Sequence, residues 1–222
     1  MREISSWGCE CGAHVDGSHL ETEEKDTGIG MQQVDMFNEP KMTPKHDPGD
    51  KIRITLPHGI HGTATFEGKS QEYRHRLTRT WDAEKPHAMF VMMNPSIADS
   101  LVDDPTVAKC GRFARTWRYG GIYVGNTFAY RTTDQKRLMK VPDPVGPEND
   151  AHLIEMAKQA AIVVFAYVQL CHATLRSRGL ALARLLMKEA GVTPHTLRLA
   201  KNGMPWHPLY LPEILKPVVW QL

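Results

Sequence analysis

The chain has 222 residues, and its 27 lysines and arginines nearly balance its 25 aspartates and glutamates, so the formal net charge is +2. Residues 1–50 hold 4 basic and 11 acidic side chains, whereas residues 51–222 hold 23 and 14, so an acidic segment precedes a basic one. With 41% hydrophobic residues, a mean hydropathy of −0.39 and no apolar run near the ~20 residues that span a bilayer, the composition excludes collagen-like, wholly disordered and membrane-spanning chains.

Residues 1–50 are predicted to form an acidic arm ahead of one ordered domain, residues 51–222. Its polar stretches, interrupted by proline, offer too little apolar surface to offset the entropy of ordering, which favours a flexible arm. The alternative is a small metal-binding segment, because four side chains of zinc-binding type lie there: Cys9, Cys11, His14 and His19. Their spacing is tighter than that of common zinc fingers, so we expect no cofactor, with zinc the less favoured alternative.

The domain begins with an alternating pattern. Ile52, Ile54 and Leu56 alternate with polar residues, as in a half-buried strand, and residues 73–81 are typical of a second strand. Later apolar runs are typical of strands buried on both faces. Four strands are predicted from such runs, the last of them weaker than the others, at residues 88–93, 122–128, 162–165 and 195–199.

Helices are predicted between these strands. Asp104 and Pro105 supply an N-cap and a proline for the first turn, and apolar residues then recur at helical spacing as far as Trp117. Two further helices are predicted at residues 149–160 and 174–190. Strands that alternate with helices predict an α/β domain, a three-layer sandwich with a four-stranded, mainly parallel sheet.

In sheets of this kind a ligand binds in the crevice beyond the carboxyl ends of the strands. Three polar segments follow predicted strands, at residues 94–96, 126–127 and 202–210. The sequence therefore places the chemistry at these three segments.

Each of these segments contains a side chain that suits chemistry and also has a plainer interpretation. Asn94 can donate and accept hydrogen bonds, which suits a residue that holds a water, but it also suits a simple turn. Asn126 suits recognition of a base edge, or it ties two loops together. His207 can stabilise a developing anion, or it is a surface histidine. For Asp104 we favour a helix cap over a general base.

In chain order, these segments resemble the family called DUF1643. The resemblance covers roughly residues 73–211 and rests on four segments: Met92-Met93-Asn94-Pro95-Ser96, Asp103-Asp104-Pro105-Thr106, Val124-Gly125-Asn126-Thr127-Phe128-Ala129 and Gly203-Met204-Pro205-Trp206-His207-Pro208-Leu209-Tyr210. More distantly, the arrangement is similar to the uracil-DNA glycosylase superfamily, which has a four-stranded parallel sheet between helices. Members of that superfamily have a base-reading asparagine after the second strand and a His-Pro after the fourth, and the mismatch-specific branch has an Asn-Pro after the first.

The superfamily resemblance implies roles for particular side chains. It makes Asn94 the residue that positions water, Asn126 the base reader and His207 the stabiliser of the leaving base. We keep Asp104 as a third catalytic candidate. Substrate-binding candidates are the neighbours of these residues in the motifs, together with a basic residue before the last motif: Pro95, Ser96, Phe128, Lys201 and Tyr210. Phe128 is expected to stack on the base.

The resulting prediction is a cytoplasmic DNA glycosylase-like enzyme that hydrolyses the N-glycosidic bond of a flipped base. The basic domain favours DNA as the partner, with no membrane partner, and the oligomeric state stays open. A modified base is favoured, because Met92 and Leu209-Tyr210 depart from the superfamily pattern. The alternatives are another nucleotide- or base-modifying enzyme, a non-catalytic reader of modified bases, and a protein-interaction domain in which the motifs only cap loops.

Overall fold

The computed structural model of the chain describes residues 49, 51–167 and 173–222, without the side chains of residues 173–176. All of these residues belong to one compact unit. Nearly all of the predicted acidic arm lies outside the described residues. The same holds for the four zinc candidates, Cys9, Cys11, His14 and His19.

Strands and helices alternate through the described residues. The strands are β1 (Ile54–Thr55), β2 (His61–Glu67), β3 (Tyr73–Thr80), β4 (His87–Met92), β5 (Val102–Asp103), β6 (Gly121–Asn126), β7 (Ile162–Phe165), β8 (Pro194–Thr196) and β9 (Val218–Val219). The helices are α1 (Pro105–Thr116), α2 (Asn149–Gln159) and α3 (Ala173–Ala190), with 3₁₀ turns at Gln135–Met139 and Pro208–Tyr210. The three predicted helices are therefore confirmed.

The main sheet has seven strands in the order β2-β3-β6-β4-β7-β8-β9, so the expected four-stranded sheet is corrected to a larger, mixed one. Within it β6, β4, β7 and β8 lie side by side and run parallel. The other three strands pair antiparallel, β2 and β3 at one edge and β9 at the other. Strands β2 and β9 were not predicted: β2 is half exposed and mostly polar, and β9 has only two residues.

Helices cover the central strands on both faces. On one face, Val107, Phe113 and Ala114 of α1 pack against Phe90 of β4 and Val124 of β6. The opposite faces of the central strands pack against α2 and α3, whose buried side chains include Leu153, Met156, Leu182 and Leu186. Strands buried on both faces explain why β4 and β7 are continuous apolar runs.

The parallel pairing aligns the strand ends that the sequence selected. Met92, the last residue of β4, is in register with Asn126, the last residue of β6. Thr127 then donates its backbone N–H to the carbonyl of Met92, and Phe128 donates to Met93. The two motifs that follow β4 and β6 are therefore held together by backbone hydrogen bonds.

Candidate active site

A small pocket lies where β4 ends, and four of the predicted residues line it. Asn94 and Ser96 come from the turn after β4, Asp104 from the start of α1, and His207 from the loop before the last 3₁₀ turn. The cavity has a volume of about 80 Å³. Three segments that are distant in sequence therefore converge on one cavity.

Asp104 reaches this pocket as the N-cap of α1. One of its carboxylate oxygens accepts backbone N–H groups from Thr106 and Val107, each at 2.9 Å, so the predicted cap is confirmed. Its neighbour Asp103 is bound by the buried Arg79, with 2.8 Å between Nη2 and Oδ1. Burial nevertheless raises the pKa of Asp103, against the opposing effect of Arg79. This ion pair holds the start of α1 against β3, and so positions Asp104.

Asn94 is oriented by one strong hydrogen bond. Its side-chain nitrogen donates to the carbonyl oxygen of Thr132 at 2.7 Å, and also contacts the carbonyl of Pro95 at 3.1 Å. The side-chain nitrogen makes both of these contacts. The side-chain oxygen of Asn94 takes part in neither, so it can accept a hydrogen bond from a bound molecule. Asn94 is therefore held in the pocket wall through its side-chain nitrogen.

The surroundings of His207 favour the neutral form of its ring. Burial lowers the pKa of its ring, the positive charge of Lys51 lowers it further, and Asp104 acts in the opposite direction. Its Nδ1 accepts the backbone N–H of Leu209 at 3.3 Å, so the proton of the neutral ring is on Nε2. A neutral imidazole with Nε2–H free is a hydrogen-bond donor for an anion that forms in the pocket.

Asn126 lies behind the pocket, and an arginine separates it from the cavity. Arg74, from β3, lines the pocket and donates from Nη2 to the side-chain oxygen of Asn126 at 3.1 Å. Asn126 is 1% exposed, and its side-chain nitrogen has no hydrogen-bond partner among the described residues. Its backbone oxygen accepts from the side chain of Asn149. Asn126, the predicted base reader, therefore does not line the cavity itself but contacts Arg74, which does.

The remaining predicted residues lie away from the cavity. Phe128 is 2% exposed and packs in the core beside α2, so its ring has no free face on which a base could stack. Pro95 is buried, and its carbonyl accepts the backbone N–H of Thr132. Lys201 and Tyr210 are exposed and are not among the residues that line the pocket.

Sequence reasoning missed several residues that complete the lining. The most informative is Arg74, which lies in the second predicted strand, residues 73–81, and is buried at the pocket. No local signal in the sequence separates Arg74 from Arg76, which lies in the same strand and is only half-buried. The other missed residues contribute an ammonium, hydroxyls and an amide: Lys51, Thr106, Thr132, Thr133 and Gln135.

A second, larger cleft of about 600 Å³ lies along α1 and contains none of the predicted catalytic residues. Several of its lining groups are already paired, since Arg79 binds Asp103 and Arg112 binds Glu213. Arg115 stacks on Trp81, with 3.9 Å from the guanidinium carbon to the ring centre. The smaller pocket is the stronger candidate because it holds the side chains with usable donors and acceptors.

The described residues contain neither a metal-binding group nor a membrane-spanning helix. Within residues 49, 51–167 and 173–222, no three or more His, Cys, Asp or Glu side chains are grouped so that they could hold a metal ion. In the same part of the chain, no helix has the length and apolar character needed to cross a membrane.

Comparison with known proteins gives one result. Searches of the curated proteins and of the solved structures found no significant match. A family model described as a protein of unknown function, DUF1643, matches residues 74–209. That range includes Arg74, Asn94, Asp104, Asn126 and His207 and covers more than half of the sequence. The chain therefore belongs to the DUF1643 family.

Proposed function

We propose that the protein is a DNA glycosylase-like enzyme that binds a flipped, modified base and hydrolyses its N-glycosidic bond. The observation that supports this most directly is the convergence of Asn94, Asp104 and His207 on one pocket. The four adjacent parallel strands within the seven-stranded mixed sheet, with helices on both faces, support the proposal only at the level of an α/β fold class.

The side chains in the pocket suit the charges that develop when the bond breaks. As the bond between the sugar C1′ and the base nitrogen breaks, the base takes the electron pair and the sugar becomes an oxocarbenium-like cation. Nε2–H of His207 donates to the departing anion, and the negative charge of Asp104 stabilises the sugar cation.

Water completes the reaction. The side-chain oxygen of Asn94 accepts a hydrogen bond from the water that adds to C1′. The oxygen of that water becomes the new sugar hydroxyl, and the proton it releases ends on the base. A neutral His207 acts as a donor throughout and does not have to supply this proton.

Charge supports DNA as the substrate. The side chains of residues 51–222 carry a formal net charge of +9, and lysines and arginines that neutralise phosphates gain affinity through counterion release. The cost of extruding a nucleotide, a few kcal/mol in typical cases, is lowest for a modified or mispaired base.

One observation favours a second candidate. Arg74 is a buried cation that faces the pocket, and the phosphate of a free nucleotide would offset its charge as well as an anionic base would. A nucleotide-directed enzyme that uses the same pocket is therefore the alternative.

The proposal is tested by incubating the full chain with duplex and single-stranded DNA that contains uracil, 5-hydroxymethylated pyrimidines or bulkier modified pyrimidines. Alkali treatment then reveals abasic sites as strand breaks. We expect breaks at the modified position, and none with His207→Ala. Binding to every substrate without any break would instead support a reader, and turnover of free nucleotides alone would support the second candidate.

A further inference from the structure

The pocket contains a buried positive charge that no carboxylate of the described residues offsets by contact. Arg74 is 1% exposed, and its two terminal nitrogens donate to neutral acceptors: the carbonyl of Ala98 at 2.9 Å and the side-chain oxygen of Asn126 at 3.1 Å. Its Nε has no hydrogen-bond partner among the described residues. Burial lowers the pKa of Arg74 to about 10, so the group stays charged at neutral pH.

Further donors accompany this guanidinium. The hydroxyl of Ser96 is buried and has no partner among the described residues, although buried hydroxyls are normally hydrogen-bonded. Lys51 lies exposed at the rim of the same pocket. Two cations and an unpartnered hydroxyl therefore line one small cavity.

The carboxylate of Asp104 does not satisfy these donors. It raises the pKa of Arg74 from a distance, but it makes no ion pair with it, and one of its oxygens is used by the cap of α1. A buried charge without a contact partner is costly, and a bound anion offsets that cost. The unused hydrogen-bond donors and the uncompensated charge therefore suit a ligand with a negatively charged oxygen group.

Building on the function proposed above, we infer that Arg74, Ser96 and Lys51 form a subsite for a carboxylate carried by the base. The preferred substrate class is then a pyrimidine with an acidic substituent, held by charge-assisted hydrogen bonds. Neutral modified pyrimidines would leave the buried cation unpaired.

Two nucleosides that differ in the charge of one substituent test the subsite directly. Titration of the full chain with 5-carboxy-2′-deoxyuridine and with 5-hydroxymethyl-2′-deoxyuridine should give at least ~10-fold tighter binding of the carboxylated one. Equal binding of the two nucleosides would overturn the inference.

Variants then assign the preference to its residues. Ser96→Ala should reduce the carboxylate preference by about fivefold, because a direct donor is lost. Lys51→Met should reduce it by about threefold, since its charge is exposed and screened. Arg74→Lys keeps the charge but loses the planar fork, and should abolish most of the preference. A preference unchanged in both Ser96→Ala and Lys51→Met contradicts the subsite even if Arg74→Lys fails to fold.

The matched control is Lys85→Met, which makes the same charge change at an exposed lysine paired with Asp82, before the start of β4. It should leave the preference unchanged. Tighter binding of a 5′-monophosphate than of its nucleoside, with no carboxylate preference, would place a nucleotide phosphate on Arg74 instead and overturn the inference.

Cleavage assays separate this inference from the proposed function. If the 5-hydroxymethyl pyrimidine is released from DNA as fast as the 5-carboxy pyrimidine, the result supports the proposed glycosylase activity and overturns the carboxylate subsite. If the chain binds the carboxylated nucleoside selectively but releases no base from DNA, the result supports the subsite and contradicts the proposed glycosylase activity.

Discussion

The side-chain nitrogen of Asn94, a residue that lines the pocket, donates a 2.7 Å hydrogen bond to the carbonyl oxygen of Thr132. Thr132 is itself tied to the same turn, because its N–H donates to the carbonyl of Pro95. The two segments thereby fix the amide in one orientation.

Asn94→Ala should therefore slow base release more than it destabilises the fold. We expect single-turnover cleavage to fall at least ~100-fold, because a misplaced water costs rate on that scale. Thermal unfolding should show a loss of only about 1 kcal/mol, the contribution of an ordinary hydrogen bond. Unchanged single-turnover rates would remove Asn94 from the catalytic group.

His207 predicts a pH dependence with a defined sign. Its pKa in the folded chain lies below the ordinary value of about 6.5, so the fold favours the neutral ring. The stability that goes with the neutral ring is present above the ordinary value and is lost as the pH falls through the lowered one. Activity should fall over the same range, because Nδ1 must stay unprotonated to accept from Leu209.

Lys51→Met tests the origin of this pH dependence. Lys51 is one cause of the lowered pKa of His207, so its removal should move the acidic inflection to higher pH. A pH–rate profile and an NMR titration of the ring measure the inflection independently. Activity that rises as the pH falls contradicts the role given to a neutral His207, and the same inflection in both proteins contradicts the effect of Lys51 on its pKa.

The ion pair between Arg79 and Asp103 should matter for stability far more than an exposed pair of the same type. Asp103→Asn leaves the buried guanidinium without its counter-charge, which should cost about 3 kcal/mol in chemical denaturation. Glu155→Gln breaks the pair with Arg76, whose glutamate side chain is 62% exposed, and should cost no more than about 0.5 kcal/mol. Similar losses in the two variants would be the contrary result.

Two glycines in predicted elements should respond oppositely to alanine. A methyl on Gly125 of β6 would lie 2.3 Å from a methyl carbon of Leu153 in the core, so Gly125→Ala should destabilise by about 2 kcal/mol. In α1, a methyl on Gly111 meets only the end of the Arg115 side chain, at 3.2 Å. Gly111→Ala should be neutral or stabilise by up to about 1 kcal/mol, since alanine favours helix. Urea denaturation of both variants checks the pair, and a stable Gly125→Ala would refute the tight packing.

The central strands and helices were predictable because their signals are local. The apolar run at residues 88–93 becomes β4, and the cap and proline at Asp104 and Pro105 start α1 as predicted. The edge strands were not predictable to the same degree. The sequence of β2 is mostly polar and contains no apolar run that would predict a strand. It is a strand because it pairs with β3, which the local sequence does not reveal.

The candidate site was predictable at residues that follow a strand or begin a helix, as Asp104 does. Asn94 and His207 follow predicted strands and line the pocket. Arg74 lies inside β3, and only the three-dimensional pairing of β3 with β6 brings it to Asn126. Phe128 ends the apolar run at residues 122–128 that predicts a buried strand, and its place in the core agrees with that run and not with the stacking role that the resemblance implies.

The central claim is hydrolysis of the bond between base and sugar, and mass spectrometry of both products from one reaction tests it most directly. After incubation of the full chain with DNA that contains one modified pyrimidine, we predict free base and abasic strand in equal amounts. Asn94→Ala and His207→Ala should yield neither product on the same timescale. An intact strand whose modified base has changed in mass, or equal product from wild type and both variants, would contradict the account.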